Sequence, residues 1–239
     1  MLLNKRVLGL VPARSGSKGI PNKNLTKIRG TSLIGRAGLC LQRLEWMDAR
    51  VLSTDDAEYA KEGRKFGLDA PFTRPRELSS DDASAIDTIA HALRACEESY
   101  DMQFDIVVLV EPTSPFRTPA DIEHACRILV ESECDSVVSV SPLDTKAHPH
   151  KLLVVNGGKL RYFDKHGKDV VARQQLPAAY FRNGVCYSLT RRCVLSKKSI
   201  ITDNTQPYIV RRHVVNIDDP LDLAWAEFLL QKKLVKFDC

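Results

Sequence analysis

Residues 1–44 of this 239-residue chain contain no aspartate and no glutamate, yet they carry nine basic groups: Lys5, Arg6, Arg14, Lys18, Lys23, Lys27, Arg29, Arg36 and Arg43. The whole chain is only +5, so the remainder is net acidic. A protein that binds a nucleic-acid duplex spreads its positive charge over a wide face. Here the charge sits at one end of the chain, around a glycine-bearing loop. That favours a compact polyanion such as a nucleoside triphosphate and argues against a nucleic-acid partner. Also missing is any run of about 18 apolar residues, so no membrane span is expected. The opening MLLNKRVLGLVPAR has neither the long apolar stretch nor the small-residue cleavage site of a signal peptide. The seven cysteines (40, 96, 126, 134, 186, 193 and 239) form no CxxC and no ligand-spaced pair. An odd count without a framework reads as reduced thiols in the cytoplasm, with Cys126 on the buried face of a helix. His148 and His150, separated by a proline, have no third ligand in register, so no metal is assigned to them. A chain of this length and 44% hydrophobic content buries a core without disulfides or metals, which excludes disorder as a description of the whole.

What is present is a strand–loop–helix rhythm. Short apolar runs at Arg6–Pro12, Arg50–Thr54, Ile106–Val110 and Ser136–Ser141 read as strands, with Ile106–Val110 the most apolar and hence central. Between them, helical spacing marks Ser32–Leu44, Ala57–Phe66, Ala83–Glu98 and Pro119–Glu133. Thr118 is in N-cap position before Pro119, and Gly67 follows the second helix as its stop. This alternation predicts an α/β fold, a three-layer sandwich with a mostly parallel sheet. Ligands of such sheets bind beyond the carboxyl ends of the strands, which brings together loops 13–24, 54–56 and 111–118. After Pro142 the texture changes. Leu152–Val155 and Leu160–Phe163 flank Gly157-Gly158 and read as a hairpin with too little cover of its own, expected to pack on another subunit. The division is therefore a core of 1–142 and 178–239 and an arm of 143–177. Weaker strand signals follow at Val185–Leu189 and Val214–Asp218, and Pro220–Lys233 closes as a helix.

The chemistry concentrates in Pro12-Ala13-Arg14-Ser15-Gly16-Ser17-Lys18-Gly19-Ile20-Pro21-Asn22-Lys23-Asn24. It is neither a Walker loop nor GxGxxG. A loop with two glycines after the first strand can still turn its backbone N–H groups on an anion, while Arg14 offers a planar fork and Lys18 and Lys23 point charges.

PARSGSKGIPNKN resembles the signature of the acylneuraminate cytidylyltransferases. LSTDDAEYAKEGRKFG, RPRELSSDDASAIDTIAHAL, EPTSPFRTPADI, ARQQLP with FRNGVCY, and VNIDDPLDL follow as family-like blocks in family order. The resemblance implies a fold of nucleotide-diphospho-sugar transferase type and activation of a 2-keto-3-deoxy sugar acid by CTP, with release of pyrophosphate. It also implies a homodimer in which the arm reaches the partner's site. By the same resemblance Arg14 and Lys23 hold the triphosphate and stabilise the leaving group, and Ala13, Ser17 and Asn24 are nucleotide contacts. Arg74 and Ser84 read cytosine, although Ser84 is equally placed to cap a helix. Lys151 and Arg173 meet the sugar carboxylate or the phosphates, and Asn183-Gly184 makes the turn before a core strand.

Two positions depart from the family. Glu111 stands where the family has Gln in Gln-Pro-Thr-Ser-Pro, and Asn216 stands where it has the first Asp of Asp-Ile-Asp, the pair that holds Mg²⁺. On a strand, residues 216 and 218 would share a face about 6–7 Å apart. Asp218 is then the remaining metal carboxylate, with Asn216 offering an amide oxygen. Glu111 either restores the missing charge or faces the sugar. Two other readings stay open: a sugar nucleotidyltransferase of different nucleotide choice, and a non-catalytic nucleotide-binding paralogue.

Overall fold

The computed structural model describes residues 1–169, 174 and 176–235. In chain order the elements are β1 (Val7–Pro12), β2 (Lys27–Ile28), β3 (Thr31–Ser32), α1 (Leu33–Gln42), β4 (Ala49–Ser53), α2 (Ala57–Lys65) and α3 (Ala85–Tyr100). They continue with β5 (Ile106–Leu109), α4 (Pro119–Glu131), β6 (Ser136–Pro142), β7 (Leu153–Asn156), β8 (Lys159–Tyr162), β9 (Tyr180–Thr190), β10 (Thr205–Ile209) and α5 (Pro220–Gln231). Six strands form one sheet in the order β10-β6-β9-β5-β1-β4. Strand β1 pairs in parallel with β4, through Leu10↔Val51, and with β5, through Leu10↔Leu109. Strand β9 runs antiparallel to β5, with Val108 opposite Ser188.

Apolar residues occupy both faces of the inner strands, as a sheet with helices on two sides requires. Val7 and Val11 of β1, Val108 of β5 and Val110 just past it join Ile34, Ala37 and Leu41 of α1 and Ile122 and Ala125 of α4 in one cluster. The alternate set, Leu8, Leu10, Val107 and Leu109, is buried as well, and α3 packs along β1. The six cysteines among the described residues are free and buried. Burial pushes the Cys126 thiol up to about 12, as expected of a small apolar core residue. No helix among the described residues is long and apolar enough to cross a membrane.

The helix starts are chemically specified. The Ser32 hydroxyl accepts from Gly35 N at 3.0 Å, and Asp56 accepts from Glu58 N and Tyr59 N at 2.8 and 3.0 Å. Thr118 and Asp121 cap α4 reciprocally, and Asp219 and Asp222 do the same for α5.

The chain divides into two compact units: Met1–Ser139 with Asn183–Tyr208 and Arg212–Cys239, and Val140–Arg182 with Ile209–Arg211. The second unit contains the β7–β8 hairpin, paired antiparallel from Leu153↔Tyr162 to Asn156↔Lys159 around Gly157-Gly158. Val155, Leu160 and Phe163 are each about two-thirds exposed or more.

Two sequence expectations are corrected. Val214–Asp218 is not a strand. Val215 and Ile217 are buried against Phe116 and α5, which gives the segment a strand-like apolar pattern. Its backbone is tied to the 111–118 loop by Ile217 N donating to Thr113 O at 2.8 Å. Asn183-Gly184 makes no turn before a strand but lies inside β9, with Gly184 at φ +70°.

Candidate active site

The backbone of the first βα loop is fixed by bonds that do not use the side chains of Arg14, Lys18 or Lys23. Ala13 N donates to Ser53 O at 2.9 Å, continuing the β1–β4 ladder beyond the strand. Asp55, just past β4, accepts from Ser15 N at 2.9 Å and from Ser15 Oγ at 2.8 Å. The buried Asn24 closes the loop, its Nδ2 donating to Arg14 O at 3.2 Å. Gly19 lies so close to the 216–219 segment that an added Cβ would stand 2.1 Å from Asp218 O. Only glycine permits that approach.

Lys23 Nζ then reaches Asp218 Oδ1 at 2.9 Å, while Asn216 Nδ2 donates to Asp218 Oδ2 at 2.9 Å. Residues 216 and 218 therefore share a side although they are not in a strand. Asp218 itself is set by α5: the Asp222 carboxylate accepts from Asp218 N at 2.9 Å and from Asp219 N at 3.1 Å. Asp219 is occupied as the α5 cap, accepting from Leu221 N and Asp222 N.

Glu111 lies close to Asn216. A Cβ at Gly184 would lie 2.6 Å from Glu111 Oε2 and 3.7 Å from Asn216 Oδ1, so the two departures from the family meet over a glycine that leaves them room. Arg117 was not anticipated from sequence. Its buried guanidinium donates from Nε to Val185 O at 2.8 Å and also to the carbonyls of Glu111 and Gly184. It thereby fixes the backbone of both. Arg117→Leu removes charge-assisted bonds to buried carbonyls and is expected to destabilise the protein by about 2–4 kcal/mol. Urea denaturation reads this directly, and a shift below about 0.5 kcal/mol would contradict the bracing role.

Arg74 is also buried. Its Nε donates to Ser53 Oγ at 3.0 Å, a second guanidinium nitrogen donates to Ser53 O, and its own N donates to Thr54 O at 2.8 Å. Burial pushes its pKa down to about 10, with Asp55 opposing and Arg14 adding to the fall, so it remains a cation at neutral pH. A second missed residue is Asp81, which binds both Arg14 and Lys18. It lay unremarked in the Ser-Ser-Asp-Asp run before α3.

An open cavity of about 320 Å³ is lined by Arg14, Ser17, Lys18, Lys23, Asn24, Arg74, Glu111, Asn216 and Asp218, among others. Of the three loops expected at the strand ends, 13–24 and 111–118 line this cavity, whereas 54–56 does not and contributes only through Asp55, which holds Ser15. Ser84 is the N-cap residue of α3, with no capping bond from its side chain, and it does not line this cavity. Ala13 is buried and, against expectation, does not line this cavity. Lys151 ends a 3₁₀ turn, Pro149–Lys151, in the second unit. Arg173 lies outside the described residues. His148 Nε2 contacts Pro177 O at 3.1 Å, and no group of three or more His, Cys, Asp or Glu with metal-binding geometry occurs among the described residues. A larger cavity of about 650 Å³ opens at the amino ends of β1 and β5, around Lys5, Asp105 and Arg191. Arg191 is held there by the Glu97 carboxylate. The smaller cavity is the better candidate because its cations converge at the carboxyl ends of the strands.

A cationic glycine loop after β1, facing a carboxylate beside the sheet's carboxyl edge, is the layout of a nucleotidyltransferase. The cytidylyltransferase family model matches residues 8–235, and the chain belongs to that family. It is 30% identical over 228 residues to the CMP-N,N'-diacetyllegionaminic acid synthase of Legionella pneumophila, covering 95% of this chain and 97% of that one. It is 31% identical over 229 residues to the post-translational flagellin modification protein B of Campylobacter coli, covering 95% and 96%. Among solved structures, a CMP:2-keto-3-deoxy-manno-octonic acid synthetase complexed with CTP superposes with a TM-score of 0.71 at 17% identity, covering 95% of this chain and 99% of that one. The fold is thus the nucleotide-diphospho-sugar transferase type expected from the sequence, and the protein is a nucleotidyltransferase.

Proposed function

We propose that this enzyme transfers the cytidylyl group of CTP to a 2-keto-3-deoxy sugar acid of the nonulosonate type, giving a CMP-sugar and pyrophosphate. The observation that carries the reading is that Arg14, Lys18 and Lys23 line one cavity together with Asp218, Asn216 and Glu111. The product named for the Legionella relative and the CTP in the solved neighbour support the choice of nucleotide and acceptor.

In the reaction, the anomeric hydroxyl oxygen of the sugar bonds to the α-phosphorus of CTP, and the bond from that phosphorus to the bridging oxygen of pyrophosphate breaks. Arg14 and Lys23 are placed to neutralise the negative charge that grows on the leaving group. Lys18 adds a flexible point charge. Arg74, a buried cation fixed on Ser53, is proposed to read cytosine. Asp218 is proposed to receive the hydroxyl proton, directly or through water. Lys151 and Arg173 are proposed to serve the sugar carboxylate.

The donors at 111, 216 and 218 are all oxygens, the chemistry Mg²⁺ prefers, and one or two carboxylates suffice when substrate phosphates supply the rest. Asp218, with Asn216 Oδ1 and Glu111 beside it, would hold the ion, which when bound supplies Lewis-acid charge neutralisation at the phosphates. Lys23 must release one carboxylate oxygen of Asp218 for that.

Pyrophosphate release measured with CTP, UTP, GTP and ATP against sialic, legionaminic and pseudaminic acids tests the proposal. CTP-dependent release with one of these acids is the expected result. Release with another nucleotide would reassign the activity. CTP binding without release from any keto sugar acid would make the chain a non-catalytic paralogue.

We further propose a homodimer formed through residues 143–177, and a cytoplasmic location in keeping with the free buried thiols. The exposed row of Leu153, Val155, Leu160 and Tyr162 on one face of the hairpin supports a partner surface. Deleting 148–170 is expected to abolish both dimerisation and activity in sedimentation and turnover measurements. A fully active monomer of 26.8 kDa would overturn it.

A further inference from the structure

Two of the three cations that the glycine loop offers to phosphates are already engaged by one carboxylate. Asp81, in the turn before α3, accepts from Lys18 Nζ at 2.5 Å through Oδ2 and from the Arg14 guanidinium through Oδ1. Arg14 Nη1 also reaches Ser79 O at 3.4 Å. The two oxygens of Asp81 thus bridge an arginine and a lysine in the way that oxygens of a bound phosphate would.

A simple brace for the loop does not account for this. The loop backbone is fixed independently by Ser15 on Asp55, by Asn24 on Arg14 O and by the seat of Gly19 against Asp218. What Asp81 holds is side chains. The contact is also open to water: the Lys18 side chain is 81% exposed and that of Asp81 39%. Such pairs are weak and are displaced by a stronger anion. The proximity of Lys18, and then of Arg14, keeps the Asp81 carboxyl below its usual range, so it is ionised at neutral pH.

We infer that Asp81 is an exchangeable counter-anion of the triphosphate subsite. It occupies Arg14 and Lys18 while the subsite is empty, yields them to the β- and γ-phosphates, and reclaims them as pyrophosphate departs. This rests on the nucleotidyltransferase reading above, in that the incoming ligand is a polyphosphate. Asp81 thereby sets nucleotide affinity and limits retention of the product.

Calorimetric titration in magnesium-free, low-salt buffer tests the idea, with inorganic tripolyphosphate, CTP and cytidine as probes against wild type, Asp81→Asn, Asp81→Ser and Asp81→Glu. Both neutral variants are expected to bind tripolyphosphate and CTP roughly three- to tenfold more tightly, with cytidine unchanged. The gain should shrink in 1 M salt, where exposed charges are screened. Inhibition by added pyrophosphate should strengthen by a similar factor. Asp81→Glu, which keeps the charge, should stay near wild type. Unchanged or weaker tripolyphosphate binding in both neutral variants would overturn the inference, as would an equal gain in Asp81→Glu. Tripolyphosphate carries no base, so if CTP alone fails to respond, the fault lies with the nucleotide assignment and not with Asp81.

Discussion

Arg14→Ala lowers turnover at least about 100-fold at saturating CTP, on the order of 3 kcal/mol of transition-state stabilisation. The size follows from where the guanidinium stands. It lines the cavity at the mouth of β1, on a backbone fixed by Asp55 and Asn24 through atoms other than its own side chain. Removing the side chain therefore takes away charge without releasing the loop. Asp81, the carboxylate it engages, is at the surface, so no buried group is orphaned and the thermal midpoint should hardly move. Arg14→Lys should recover only part of the rate, because an ammonium cannot present two parallel donors to phosphate oxygens. Steady-state turnover with a parallel melting curve separates the effects. Near-normal turnover in Arg14→Ala would remove this loop from the reaction, and a large fall in melting temperature would make its role structural.

The inner strands and the cation loop were legible because local signals and tertiary role coincide there. Val7–Pro12 is apolar because both faces of β1 are covered, and the glycines of the next loop are where backbone must approach backbone. Strand β10 escaped notice for the opposite reason. It is an edge strand, half polar, with Pro207 inside it, a residue that argues against a strand anywhere but an edge. Residues 214–218 misled because burial of Val215 and Ile217 against α5 produces the alternation of a strand without its ladder. The positions of Glu111, Asn216 and Asp218 were readable as motif members, but not that they converge. That depends on Gly184 in the left-handed region of β9 and on Arg117 gathering the carbonyls of 111 and 184, both long-range facts. Asp81 was invisible as a partner because its contacts lie more than 60 residues away in sequence.

Asp218→Asn is expected to lower turnover by about 100-fold while leaving CTP binding in metal-free buffer equal to or tighter than wild type. The split arises from the carboxylate's two engagements. Lys23 Nζ lies 2.9 Å from one of its oxygens, so in the empty site Asp218 competes with phosphates for Lys23. An amide at 218 frees that lysine for the nucleotide but removes the charge that would hold Mg²⁺ and accept the sugar's proton. Asn216 donates to the other oxygen at 2.9 Å and contributes no charge, so it cannot compensate. Whether Glu111 does is read from Glu111→Gln. If Glu111 shares the ion, the magnesium concentration for half-maximal rate should rise sharply, and Asn216→Asp in the same chain should recover much of the loss, a coupling of about 1 kcal/mol or more. If Glu111 faces the sugar, metal dependence should stay constant and the preferred acid should change, because a carboxylate beside the substrate repels its acid group and favours a hydroxyl or amine there. The meeting of Glu111 and Asn216 over Gly184 favours the shared ion. Full activity of Asp218→Asn at low magnesium would contradict both arms and place the metal elsewhere. A collapse of CTP binding together with the rate would make Asp218 a brace for Lys23 and not a group acting on the reacting atoms.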